Sequence, residues 1–241
     1  MAALAAESRP LGAARRARGP RRAAFTTLAD GTLLVVSGVG GAAAARAARQ
    51  LVEAGARALL SWGMAGGLDP ALRAGALFLP GEVMAADGTV YLTSREWRLA
   101  LAAAVESCHP VTGGRLLTCL DVLASVADKA AAFRTTGAAA VDMESGAIGE
   151  VARAAQLPFL AVRAIVDTAQ DQLPRTLVTA AASGELRIAR LLATLARAPG
   201  ELPGMLQLAR RYRAASRSLA AVARAGALAP GGLRAAAPTS P

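Results

Sequence analysis

The sequence predicts an α/β fold, a mostly parallel or mixed sheet with helices on both faces. Three observations lead there. Short apolar runs alternate with longer alanine- and arginine-rich stretches from Leu33 to about Ala198, the pattern of strands and helices in turn. Glycine, proline and Asp-Gly pairs punctuate the alternation. At 241 residues and 54% hydrophobic content the chain is long and apolar enough to bury one large core.

In chain order, Leu33-Leu34-Val35-Val36 reads as a buried strand stopped by Ser37-Gly38. Ala42 to Ala54 reads as a helix with its arginines outward, closed by Gly55. Ala58-Leu59-Leu60 is a second buried strand, expected to open into a glycine-rich turn over Gly63–Gly67. Ala76 to Leu79 and Glu82 to Ala86 are further strands, the latter followed by a turn at Asp87-Gly88. Trp97 to Val105 reads as helix, Arg115 to Thr118 as extended, Glu144 to Ala155 as helix and Phe159 to Val166 as a fully buried strand. Ser183 to Leu195 closes the region as a helix.

After Pro199-Gly200 the composition shifts. With Leu208 as origin, Tyr212, Ala215, Leu219 and Val222 fall within about 40° of it, and Arg210, Arg213, Arg217 and Arg224 lie roughly 140–200° away. This basic amphipathic helix has two readings: packing on its own domain or a second subunit, or contact with an anionic membrane surface. The expected organisation is a domain over 1–198, this helix over 199–226, and a disordered tail over 227–241.

The net charge is +10, and of the 27 basic residues only Lys129 is a lysine. The basic ends suit anionic partners, but no aromatic-rich or helix-turn-helix pattern accompanies them, so nucleic-acid binding is not expected. Cys108, Cys119 and the single His109 offer neither a disulfide framework nor a zinc site. Cys108 beside His109 is not a nucleophile pair, because adjacent residues rarely aim at each other and Pro110 marks a loop. No apolar run reaches bilayer length and no signal peptide is read, so a cytoplasmic location is expected.

Gly38-Val39-Gly40-Gly41-Ala42-Ala43 fits a loose dinucleotide pattern. The ribose-binding acid that pattern requires about 20 residues on is replaced by Ser61-Trp62-Gly63, and the dinucleotide reading is rejected. Three later segments say more. Ser61 to Leu68 places small residues at a strand end, where backbone can approach a flat ligand. Val141-Asp142-Met143-Glu144-Ser145 sets two carboxylates at a helix start, and Arg163-Ala164-Ile165-Val166-Asp167 sets an arginine and a carboxylate four apart at a strand end. Such charges are costly to bury without partners.

In this order, with Ser37-Gly38-Val39-Gly40 before them, these motifs resemble the family of purine nucleoside phosphorylases and methylthioadenosine/adenosylhomocysteine nucleosidases. The resemblance implies a three-layer α/β/α sandwich around a mixed, partly barrel-like sheet, assembled as a homodimer or larger. It implies cleavage of the N-glycosidic bond of a purine nucleoside, without a cofactor and with inorganic phosphate as candidate co-substrate.

By resemblance, Asp167 protonates purine N7, Glu144 accepts hydrogen bonds from the ribose hydroxyls, and Met143 packs against the sugar. Met64, Ala65, Gly66 and Val166 belong to the substrate pocket, with Met64 and Val166 replacing more polar family residues. Thr118 to Ala124 stands where a purine-binding loop is expected, Leu123 covering the base beside Ala124. Glu7 would activate water, or Arg9 with Arg163 would bind phosphate; both nucleophiles stay open.

The Leu4–Arg9 start, the apolar replacements and the arginine-rich helix look most like the hopanoid-associated branch of the family. That likeness implies release of adenine from adenosylhopane, with peripheral membrane contact through the C-terminal helix. A methylthioadenosine/adenosylhomocysteine-type hydrolase and a non-catalytic nucleoside-binding protein are the alternatives.

Overall fold

The computed structural model describes residues 25–28, 31–106, 109–174, 202–226 and 228–230, together with Leu11. The expectations for Glu7, Arg9, Cys108, the helix over Ser183–Leu195 and most of the tail fall outside these residues.

Among the described residues the strands are β1 Thr26–Thr27, β2 Leu33–Leu34, β3 Leu59–Gly67, β4 Leu77–Phe78, β5 Glu82–Met84, β6 Val90–Leu92, β7 Val111–Thr112, β8 Arg115–Thr118, β9 Ala140–Asp142 and β10 Phe159–Asp167. The helices are α1 Gly41–Glu53, α2 Arg95–Val105, α3 Val126–Thr136, α4 Ser145–Ala154 and α5 Leu202–Ala225. Strands β3 to β10 form one eight-stranded sheet in the order β6-β5-β8-β9-β3-β10-β4-β7. It is mixed: β3 pairs parallel with β10 and antiparallel with β9, while β10 pairs antiparallel with β4.

The period of two along β10 explains the layers. Phe159, Ala161 and Ile165 point into a core shared with Ala44, Ala48 and Leu51 of α1 and Ile148 and Val151 of α4. Leu160, Val162 and Ala164 point the other way, onto Trp97 and Leu101 of α2 and Ala215, Leu219 and Val222 of α5. A strand buried on both faces reads as an unbroken apolar run, and this one does. Alanines on the inner face of α1 hold it close to α4, and α4 in turn lies close on β6. A Cβ at Gly149 would sit 3.0 Å from the Tyr91 side chain.

One expectation is corrected. The segment Gly63–Gly67 is no turn but the second half of β3, a nine-residue strand beside β10. The run Leu33–Val36 is a strand over Leu33–Leu34, which among the described residues pairs with Thr26–Thr27; Leu34 and Val35 are buried as expected, whereas Val36 is 43% exposed. The basic helix packs on its own sheet, with Arg210, Arg213, Arg217 and Arg224 exposed on its outer side.

Candidate active site

The site forms where β8, β9, β3 and β10 end. Its floor is a buried polar cluster. Arg163 shares the inward face of β10 with Ala161 and Ile165, so its guanidinium is delivered under the start of α4. It is 2% exposed. Arg163 Nε and Nη2 donate to Asp142 Oδ2 at 3.0 and 2.7 Å, and Nη2 also reaches Ser61 Oγ at 2.6 Å and Ser145 Oγ at 2.8 Å. Asp142 Oδ1 accepts from Thr118 Oγ1 at 2.7 Å, and its carboxylate receives the Ser145 N–H at 3.1 Å, the first turn of α4. A carboxylate there complements the helix N-terminus, and the cluster meets the demand that buried charges be paired and hydrogen-bonded.

This cluster fixes Glu144, one residue before α4 and 9% exposed. Glu144 Oε1 accepts from the backbone N–H of Gly40 at 2.8 Å. Gly40 is the N-cap of α1, with φ 95°, a conformation that favours glycine. The first glycine cluster, unsuited to a dinucleotide, thus serves as the partner of Glu144. Met143, half-buried, lies beside it with its carbonyl against Gly41.

Asp167 ends β10 across a bulge: Ile165 pairs with Ala65 and Asp167 with Gly66, leaving Val166 as the extra residue. Bulges of this kind re-aim side chains at a sheet's end. A Cβ on Gly66 would stand 3.1 Å from Asp167 Oδ2 and 3.3 Å from Val141 Cγ1, so only glycine lets the carboxylate lie this close to β3. Asp167 is 5% exposed. Burial pushes its carboxyl above the ordinary carboxylate range, and the Lys129 ammonium, bonded to Oδ2, partly opposes the rise. Asp171 closes the loop behind it: its carboxylate accepts from Thr168 N and Oγ1 at 2.8 and 2.7 Å and pairs with Arg211 of α5.

The other expected residues separate by strand parity. Ala65 is buried in the core with α1 and α4, whereas Met64 and Val166, both half-buried, pack on the side of α2 and α5. Leu123 packs on Val141 and Leu117, and Ala124 accepts the Leu173 N–H at 2.9 Å, which ties the loop after β8 to the loop after β10. Leu120 stands 80% exposed at that loop. Burial and the neighbouring Asp142 and Asp121 raise the Cys119 thiol, which works against thiolate chemistry there. Arg163, expected at the nucleophile, lies in the floor with its donors directed to Asp142, Ser61 and Ser145.

The family model of the phosphorylase superfamily matches residues 2–197. The chain belongs to that family. Members are nucleoside phosphorylases and nucleosidases, and cleavage of a nucleoside N-glycosidic bond is this enzyme's reaction class. The phosphorylase-superfamily fold is also seen in solved relatives. Methylthioadenosine/adenosylhomocysteine nucleosidase from Neisseria meningitidis, in complex with methylthio-immucillin-A, is similar with TM-score 0.70 and 19% identity, over 94% of this chain and 96% of that one. Futalosine hydrolase of Helicobacter pylori gives TM-score 0.68 and 17% identity over 92% and 95%. An aspartate-to-asparagine variant of the Helicobacter pylori methylthioadenosine nucleosidase, with methylthioadenosine in its active site, gives 0.66 and 16% over 92% and 96%. At these identities the likeness is one of fold.

The sequence motifs contain Ser61, Thr118 and Ser145 but do not show that these side chains join Arg163 and Asp142 in one buried cluster, and nothing in them pointed to Lys129 at the site. One signal was present for Lys129: a single lysine in a chain whose other cations are all arginine.

Proposed function

We propose that this enzyme releases adenine from an adenine nucleoside, with Asp167 as the acid at purine N7. Breaking C1′–N9 leaves negative charge on the departing purine, and a proton delivered to N7 neutralises it. The observation that carries the reading is a buried carboxyl at the end of β10, held against Gly66 and shifted upward by burial, the direction an acid catalyst requires. Such an acid contributes roughly 10²–10⁴ in rate. Glu144, anchored on the Gly40 N–H, is the acceptor for the ribose hydroxyls, and Met143 packs on the sugar. Gly66, Ala65, Leu123 and Ala124 line the base side in this reading. Arg163 works from below, fixing Asp142 and the helix start that carries Glu144.

For the 5′ side we infer a lipid, as in adenosylhopane, with adenine released in hopanoid side-chain biosynthesis. Supporting this, Met64 and Val166 add to the apolar side toward α5, and α5 turns four arginines outward. Ala215, Leu219 and Val222 of α5 are packed on the domain, so contact of this cytoplasmic enzyme with a membrane runs mainly through arginine and phosphate. A homodimer or larger assembly belongs to the same reading. The solved relatives favour a second reading, a methylthioadenosine/adenosylhomocysteine-type hydrolase.

Adenine release from adenosylhopane, methylthioadenosine and adenosylhomocysteine, each with and without phosphate, decides between them. Phosphate-dependent release confined to the lipid nucleoside supports the first and assigns Arg9 the phosphate. Phosphate-independent release from methylthioadenosine at an equal rate supports the hydrolase, with Glu7 activating water. No release from any adenine nucleoside overturns both.

A further inference from the structure

Lys129 is the least expected residue at the site. It sits on α3 with no solvent exposure, and the helix buries no other residue as fully. An ammonium is costly to bury unless its hydrogen bonds are all met. Here its three N–H groups have three acceptors: Asp167 Oδ2, the Thr168 carbonyl at 2.9 Å and the Asp171 carbonyl at 2.9 Å. All three lie on the five residues that begin with Asp167. A lysine serving only to fasten α3 to the sheet could have bonded anywhere along β10; this one bonds only to the acid and the loop leaving it.

We propose that Lys129 is a positioning residue for Asp167, holding Oδ2 so that Oδ1 is the oxygen presented to the purine. The inference rests on the reading of Asp167 as the acid. Gly66 bounds the carboxylate on the side of β3 and Lys129 holds it from α3, so its rotation is fixed from two directions. Among the described residues three charged groups face it. Lys129 comes from α3, Arg211 from α5 and Asp171 from its own loop, while β3 and β9 present Gly66 and Val141. Asp142, also on β9, is turned to Arg163. Lys129 lowers the Asp167 carboxyl against the pull of burial, so it also sets the pH up to which the acid keeps its proton.

The single lysine provides the test. Full-length enzyme grown on lysine labelled with 15N at Nζ carries one ammonium signal. Adenine binding, followed separately by calorimetry, should shift that signal, and Asp167→Asn should shift it before any ligand is added. In Lys129→Gln and Lys129→Met, kcat for adenine release should fall on the order of 10²-fold with KM within about threefold, the loss expected of a misplaced group. With burial no longer opposed, the alkaline limb of kcat/KM should move to higher pH. A Nζ signal indifferent to bound adenine, or variants whose alkaline limb stays put while only melting temperature falls, overturns the proposal. If neither variant folds, the Nζ response of the wild type decides alone. If no adenine nucleoside binds or is cleaved, the functional reading fails and takes this inference with it. Normal cleavage with a fixed Nζ signal sinks the inference alone.

Discussion

Arg163 and Asp142 meet at 2.7 Å in the floor of the site, with side chains only 2% and 1% exposed. A pair this deep contributes little over an apolar pair of the same shape, but removing one partner strands the other. Arg163→Met should therefore lower unfolding free energy by about 3–5 kcal/mol in urea titration. Asp142→Leu added to it should recover part of the loss, because the stranded carboxylate is gone. A stable Arg163→Met whose only defect is a raised KM for phosphate would return the residue to the nucleophile pocket.

Asp167 should be the residue whose loss separates folding from turnover. Asp167→Asn should keep the fold by circular dichroism and lose roughly 10²–10⁴ in kcat. The sign of the pH dependence follows from its direction of shift. The acid acts protonated, and burial raises its carboxyl above the ordinary 3.8. kcat/KM should hold at low pH and fall as pH rises through that raised value. An alkaline limb that persists unchanged in Asp167→Asn would assign it to another group.

How far the sequence revealed the site depended on how each element is buried. Phe159–Val166 was legible because both faces of β10 are covered, which leaves an apolar run interrupted only by Arg163 and closed by Asp167. Gly63–Gly67 misled because glycine usually marks a turn, whereas here Gly66 makes room for Asp167 and Val141 within a strand. Helix α3 had no apolar stripe to announce it, since the residue it buries fully is Lys129. Its signals lay at its ends instead. Ser125 accepts from the Asp128 N–H at 3.0 Å, and Gly137 closes the helix at φ 65°, a cap pattern that sequence spacing does encode. The strands β6, β7 and β9 are too short for any period to show.

Gly66→Ala tests the close approach of β3 to the acid. The new Cβ would lie 3.1 Å from Asp167 Oδ2 and 3.3 Å from Val141 Cγ1, so one of them must move. Overpacking of this kind costs about 1–3 kcal/mol. Thermal melting should show that modest loss, and kcat should fall by more than about tenfold, since small displacements of reacting groups cost far more in rate than in stability.

Glu144→Gln keeps the side chain's size and an acceptor for the Gly40 N–H, so stability should change little. What it loses is charge at the ribose. Hydrogen bonds to charged groups contribute about 1.5–3 kcal/mol, so kcat/KM for the ribonucleoside should fall roughly 10–100-fold. The corresponding 2′-deoxynucleoside should be a poor substrate for wild type and suffer much less from the substitution. Equal losses on both would remove Glu144 from the sugar.

The two faces of α5 should respond to substitution in opposite ways. Leu219, fully buried against the sheet, should cost about 2–5 kcal/mol when changed to alanine, because the space it leaves is walled by β10 and α2. Arg210, Arg213 and Arg217 are exposed, and changing all three to glutamine should leave stability within about 0.5 kcal/mol per site. Their loss should be felt only at an anionic surface. Sedimentation with vesicles containing phosphatidylglycerol should retain wild type at low salt and release the triple variant. About 0.5 M salt should release wild type as well, because the attraction is screened and Ala215, Leu219 and Val222 of α5 are packed on the sheet. Binding that survives high salt would mean that α5 leaves the sheet, and Leu219→Ala would then strengthen retention rather than only destabilise the fold.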